Sequence, residues 1–322
     1  MMIYPLSIHY QSDNFPVGSV ANGSDELRVT WDDILWAAVT VGRPNRHYVF
    51  RHGEASRYEA IFRWSMIRMA LEQSNYRSYR LCRTNAAKTL DPSEKGAVNY
   101  FLGMSFCKLF AWKLLKTPWL LHLDVFRPML DPVLKGKSRP DLVGKELYTN
   151  KWHAFECKGR ISPPNVEVKS KAKDQAMRVV RVNGIPCNLH VRAITYFQDI
   201  VLQFYWCDPP IDERNQIVVP FHGNIWRHYF TPIVQILFDA SRRDLFTGKE
   251  KNSFALPELD ITVSIHPEIA KLLFRAEWNL AQQVAVDAAK DIAAAGYKPD
   301  GLLVQAGETW SERFKEIYSN KE

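Results

Sequence analysis

The sequence predicts an α/β fold. It reads as an αβββαβ core with a mostly helical N-terminal extension and an α+β C-terminal region. Three observations predict the core. Helix-period and strand-period segments alternate between residues 91 and 206. Asp91-Pro92-Ser93-Glu94 is a helix start, with a capping Asp, Pro at the first helical position and an acid in the first turn. Two apolar stretches, Pro140–Gly144 and Trp152–Gly159, flank a turn at Tyr148–Asn150 and read as a hairpin.

The elements follow in order. Residues 1–29 read as a short strand or two and a loop. Trp31–Val41 reads as a helix with Thr30 as N-cap and Gly42-Arg43-Pro44 as its stop. His47–Arg51 reads as a strand. Ser56-x-x-Glu59 has capping-box form and predicts a helix to Gln73, with Phe62, Met66, Met69 and Ala70 as its apolar stripe. The core then runs as a helix to Lys116, a strand over Trp119–Phe126 and the hairpin. A helix over Lys169–Val182 ends at Asn183–Gly184, and strands follow over Cys187–Phe197 and Ile200–Trp206. Asp208-Pro209-Pro210 marks a boundary. Beyond it come a strand at Gln216–Phe221, a helix over Ile225–Ser241 and a strand at Ile261–Ile265. A short helix at Pro267–Phe274 and a long Ala-rich one over Glu277–Ala295 complete the chain. The predicted divisions are 1–90, 91–207 and 208–322.

Composition narrows the function. The 322 residues are 46% hydrophobic and 24% charged, which excludes a disordered tail, a collagen-like fibre or a low-complexity array. Five scattered cysteines with no CxxC predict buried thiols in a reducing, cytoplasmic setting. No apolar run approaches the length of a bilayer span, and the N-terminus lacks a signal-peptide pattern. The net charge of +7 is unevenly placed. Arg43–Leu90 holds ten basic residues against three acidic, and Lys135–Arg181 holds twelve against five. Clustered Lys and Arg attract polyanions. From Asp208 onward acids outnumber bases, seventeen to thirteen, which points to a protein partner rather than nucleic acid.

The chemistry concentrates at Pro140-Asp141 and, after fourteen intervening residues, Glu156-Cys157-Lys158. Alternate strand residues share a face, so Glu156 and Lys158 point together and Cys157 points away. Asp141 on the partner strand can meet them. Two carboxylates with a backbone carbonyl, Cys157 being the natural candidate, can hold a hard cation such as Mg²⁺. The lysine can orient water or offset charge in the transition state. A plainer reading makes Asp141 a strand start and Glu156 with Lys158 an exposed ion pair. Pro299-Asp300 has no ExK after it, and Glu167-Val168-Lys169 follows a proline-rich loop instead of an apolar strand.

PDLVG followed by WHAFECKGR resembles the PD-(D/E)XK nuclease superfamily, the restriction-endonuclease-like fold, over about residues 91–206. The resemblance implies Mg²⁺-dependent hydrolysis of nucleic-acid phosphodiesters, with Mn²⁺ able to substitute. It implies metal ligation by Asp141 and Glu156, and a catalytic role for Lys158. Glu94 stands where many members add a glutamate from the first core helix; it also reads as a capping-box residue. Lys171 or Gln175 matches a polar position on the helix after the ExK strand. Arg160, Lys169, Lys171, Lys173 and Gln175, with Arg57, Arg63 and Arg68 of the basic N-terminal stretch, are the expected nucleic-acid contacts. The expected activity is DNA endonuclease action, with RNA left open, in a mobile-element or phage-defence setting by analogy. The rival expectation is a non-catalytic nucleic-acid-binding scaffold that keeps the fold.

Overall fold

A computed structural model describes residues 5–42, 55–74, 79–129, 139–209, 217–220, 224–242 and 252–314. The molecule is mixed α/β. The chain opens with β1 (Leu6–Asp13) and β2 (Gly23–Val29), then α1 (Trp31–Thr40) and α2 (Ala55–Ala70). The short strands β3 (Leu71–Gln73) and β4 (Leu81–Arg83) precede α3 (Asn85–Thr89) and the long α4 (Pro92–Leu115). Next come β5 (Trp119–His122), β6 (Leu142–Lys145), β7 (Trp152–Gly159) and α5 (Val166–Ala176). They are followed by β8 (Val179–Val182), β9 (Ile185–Gln198), β10 (Val201–Cys207) and β11 (Ile217–Val219). The remainder is α6 (Ile225–Arg242), β12 (Ser253–Leu256), β13 (Ile261–Ile265), α7 (Pro267–Phe274), α8 (Trp278–Asp287), α9 (Ala289–Ala294) and β14 (Leu302–Ala306).

One large sheet runs β2-β1-β10-β9-β7-β6-β5, and a separate small sheet runs β12-β13-β14. In the large sheet, β7 pairs β9 and β1 pairs β10 in parallel, while β5, β6 and β7 form an antiparallel meander. The parallel β7–β9 pair requires a crossover, and α5 with β8 supplies it. Helix starts follow the sequence signals. Thr30 with Asp33 and Asp91 with Glu94 both form reciprocal capping boxes. All five cysteines are buried and free. No described helix is long and apolar enough to cross a membrane.

Several expectations are corrected. The N-terminal segment is not a mostly helical extension, because β1 and β2 complete the large sheet and β4 pairs with β10. The helix predicted to reach Gln73 ends at Ala70, and Leu71–Gln73 instead pairs with Leu81–Arg83. Of the predicted stripe, Met66 and Ala70 are buried and Met69 packs against the core, while Phe62 faces outward; Ala60, Trp64 and Ile67 are buried beside them. The strand predicted to Phe126 stops at His122, where Leu123–Met129 winds into a 3-10 helix. The helix predicted to Val182 ends at Ala176. Asn183 (φ 51°) and Gly184 (φ 76°) both take positive φ, so this Asn-Gly pair closes the β8–β9 hairpin instead of ending a helix. The long C-terminal helix is two, broken at Ala288. Strands β12 and β14 were not foreseen. The predicted strand at 47–51 lies outside the described residues.

The C-terminal region is bound into the rest by polar groups as well as apolar ones. Lys108 of α4 is fully buried. Its ammonium donates to the Pro118 carbonyl and, at 2.9 Å, to the Tyr229 hydroxyl, and it lies over the Trp36 and Tyr229 rings. Tyr229 donates to Asp300 at 2.7 Å, and Trp36 Nε1 donates to the same carboxylate at 2.9 Å. Elements from residues 36, 108, 229 and 300 thus share one buried network. The predicted boundaries at 90 and 207 do not separate independent cores. Removing one member of a buried charged network leaves another uncompensated. Asp300→Ala is expected to lower the unfolding free energy by about 3–5 kcal/mol, read as a shifted urea midpoint.

Candidate active site

Helix α4 lies directly on β7. A Cβ on Gly159 would stand 1.6 Å from the Asn99 carbonyl oxygen, and one on Gly103 would stand 2.8 Å from the Lys158 backbone. Only glycine fits at either crossing point. This contact sets the faces of β7. The Cys157 side chain turns toward Cys107 of α4 and hydrogen-bonds its thiol, while burial holds it protonated with its pKa well above the usual thiol range. Glu156 and Lys158 turn the other way, as alternation requires, and pair with each other. Beside them, in register on β9, stands Arg192, which donates to the Lys169 carbonyl of α5 and to the Tyr205 hydroxyl.

Asp141 enters where the β6–β7 ladder stops. The last paired residues are Leu142 and Phe155. One step further, the Asp141 N–H donates to the Phe155 carbonyl at 3.0 Å. The Cys157 N–H then has no strand partner on that edge, and it donates to Asp141 Oδ2 at 2.8 Å. The carboxylate occupies the slot that a continuing strand would fill. The Cys157 carbonyl leaves on the same edge as its N–H, past the end of β6.

The electrostatics follow from burial. Glu156 is fully buried, and burial followed by the neighbouring Asp141 pushes its pKa up to about 8, against the opposing pull of Lys158. Burial also raises Asp141, although the Cys157 N–H and Lys158 oppose it. Burial lowers Lys158, but the adjacent Glu156 outweighs it and the net shift is upward. Arg139, nearly buried one position before Pro140, adds a second cation that interacts with both carboxylates and pairs with Asp124. Burial, then Arg139 and Arg63, push His122 down to about 3. It is therefore neutral, and its Nδ1 accepts from the Asp124 N–H at 3.2 Å.

The donor set suits a hard divalent cation. Glu156 meets the Lys158 ammonium and the Asp141 carboxyl group. A buried carboxylate is costly unless a cation meets it, and Lys158 is the cation at hand. Among the described residues no cluster of three or more His, Cys, Asp or Glu groups could hold a metal. Mg²⁺ does not require one, since it binds through one or two carboxylates and completes its shell with water and phosphate.

The structure brings Asp141, Glu156, Cys157 and Lys158 together and leaves Glu94 elsewhere. Glu94 is exposed at the start of α4, where its carboxylate accepts from the Asp91 N–H. The α4 residue beside the acids is Tyr100. Partial burial, then Asp141, Cys157 and Glu156, push its hydroxyl up to about 12. Arg160 follows Lys158 at the rim, and Lys173 and Gln175 are half-buried on α5. Lys169 lies 4.0 Å over the Tyr205 ring, and Lys171 is engaged with Glu167 at 2.7 Å. That pair places the alternative Glu167/Lys169 motif on a helix.

The three arginines of α2 are corrected as a nucleic-acid surface. Arg63 is buried, pairs with Glu59 and donates to the Ala38 carbonyl. Arg57 pairs with Glu258 at 3.5 Å. Arg68 donates to the Thr309 and Glu312 carbonyls and lies over the Trp310 and Phe314 rings. Arg57 and Arg68 thus tie α2 to the C-terminal region, and Arg63 ties it to α1. Sequence reasoning missed Arg139 and Tyr100. The former stood next to the PD motif as an unassigned cation; the latter is placed by the glycine crossing, which spacing does not reveal.

No family model, curated protein or solved structure matches the chain.

A raised carboxylate pKa has a definite consequence for stability. The folded chain holds the Glu156 proton to about pH 8, whereas the unfolded chain releases it near the ordinary 4.5. Between these values the native state binds more protons, so rising pH favours unfolding. In EDTA, Glu156→Gln is expected to flatten the fall of Tm across that interval and to exceed wild type in stability at its alkaline end. A wild-type Tm that climbs over the same interval would contradict this.

Proposed function

We propose that the chain is a Mg²⁺-dependent endonuclease that hydrolyses DNA phosphodiester bonds in the manner of the PD-(D/E)XK superfamily. The observation that carries this reading is the convergence of Asp141, Glu156 and Lys158 at the point where β6 ends beside β7, with Glu156 buried between the other two. The order α4, β5, β6, β7, α5, β9, with β9 parallel to β7, also accords with the αβββαβ arrangement that the resemblance implies.

Asp141, Glu156 and the Cys157 carbonyl would hold the cation. When bound, Mg²⁺, or Mn²⁺ in its place, supplies Lewis-acid charge to a phosphate oxygen and lowers the pKa of bound water. The chain's own groups do the rest. The Cys157 N–H fixes the Asp141 carboxylate in one orientation. Lys158 pairs with Glu156. Its ammonium would orient the attacking water or offset charge on the phosphate. Arg139, paired with Asp124, adds positive charge beside the acids. Arg160, Lys173 and Gln175 would contact the phosphate backbone.

Asp141→Asn and Glu156→Gln are each expected to lower plasmid nicking in Mg²⁺ by about 10²–10³-fold, with the thermal melt in EDTA showing both still folded. Wild-type nicking by the double variant would sink the reading. Gel-shift binding with no cleavage of DNA or RNA, in Mg²⁺ or Mn²⁺, would favour the scaffold role instead.

A further inference from the structure

Helix α2 turns aromatic rings outward. Tyr58 and Phe62 stand one turn apart on a common face and are 58% and 53% exposed. Phe62 meets Phe101 of α4 edge to face at 5.8 Å, and Phe101 meets Tyr100 at 5.5 Å. Tyr100 is itself 41% exposed. Its hydroxyl end lies in the field of Asp141 and Glu156. The rings form a strip on the order of 15 Å that leads to the two carboxylates.

The strip has a chemical character. Every exposed member is aromatic. Arg63, buried and paired with Glu59, lies 5.1 Å over the half-buried Phe101 ring and holds it in place. Arg139 and Lys158, paired with Asp124 and Glu156, stand where the strip meets the acids. Flat exposed rings beside the proposed phosphodiester site match the faces of planar bases. The middle of a duplex hides its base faces in its own stack. The strip can therefore engage only bases already unpaired or splayed from their partners.

We infer that Tyr58, Phe62 and Tyr100 form a stacking platform for unpaired DNA bases beside the scissile phosphate, so that the substrate is single-stranded DNA or a duplex with a single-stranded arm. This deepens the proposed nuclease function and rests on that reading for the position of the cut. The platform itself does not need a metal or a competent catalytic centre.

The test uses the full chain in EDTA, where cleavage is excluded. Fluorescence anisotropy compares a labelled single-stranded oligodeoxynucleotide with the same sequence as a blunt duplex. Wild type is expected to prefer the single strand. Tyr58→Ala/Phe62→Ala should weaken single-strand binding by about 10–100-fold and collapse that preference, and Phe62→Trp should restore much of it. Both positions are exposed, so an unchanged thermal melt is expected for the double variant. Equal binding of strand and duplex by wild type, or a preference that survives the double substitution, overturns the inference. Failure of the nuclease reading looks different. A wild-type protein that cuts nothing in Mg²⁺ or Mn²⁺ yet keeps an aromatic-dependent preference for single strands retains the platform and loses the catalysis.

Discussion

The backbone of α4 rests on the backbone of β7, and the rest of the structure depends on that contact. Gly159 admits the Asn99 carbonyl, and Gly103 admits the Lys158 main chain. With no side chain between them, helix and strand cannot slide without collision. Their relative register is therefore fixed, and each later position on α4 inherits it. Tyr100 falls beside the acids, Cys107 over Cys157, and Lys108 under the Tyr229–Asp300 pair. A helix turns 100° per residue, so a one-residue slip would remove all three from their partners. The same contact that shapes the site also ties it to the C-terminal region.

The site so placed is held together against its own electrostatics. Two carboxylates share a buried space, and the shift of Glu156 to about 8 records the cost. Lys158, Arg139 and the Cys157 N–H offset part of it. The offset is incomplete, since Glu156 stays raised despite them. Such a centre does not stabilise the fold; the surrounding sheet and helices stabilise it. Perturbed carboxylates in a fixed frame are a mark of functional sites, because an ordinary core would have replaced them with apolar side chains.

The sequence exposed local geometry well and non-local pairing poorly. The hairpin, the capping boxes at Thr30 and Asp91, and the strands after Gly184 followed from alternation and cap chemistry alone. So did the facing of Glu156 and Lys158, which needs only the period of a strand. Asn183–Gly184 misled because a helix stop and a hairpin turn use the same residues, and only the partner strand decides. Strands β3 and β4 are three residues each, too short for any period to show. Glu94 was readable as cap or catalyst, and the choice hangs on where α4 crosses β7. That crossing joins glycines 56 positions apart. No spacing rule links them.

Helix α2 shows most clearly why residue type is a poor guide to surface. Its arginines suggested a cationic face and its phenylalanine a buried one. The fold reverses both. Arg63 is buried because its guanidinium can satisfy Glu59 and the Ala38 carbonyl at once, and its flat face packs on Phe101. Arg68 finds backbone carbonyls and two rings at the C-terminal segment. With these positions filled by cations that have internal partners, Phe62 and Tyr58 are left on the outer face. Counting charge along the chain therefore overstates the polyanion surface of α2 and conceals its aromatic one. A helix that buries one cation beside its apolar face and leaves two rings outside gains nothing in stability from that exchange, since it exposes apolar area and desolvates charge. The exchange leaves two flat apolar faces on the side of α2 that runs through Phe101 and Tyr100 toward the two carboxylates.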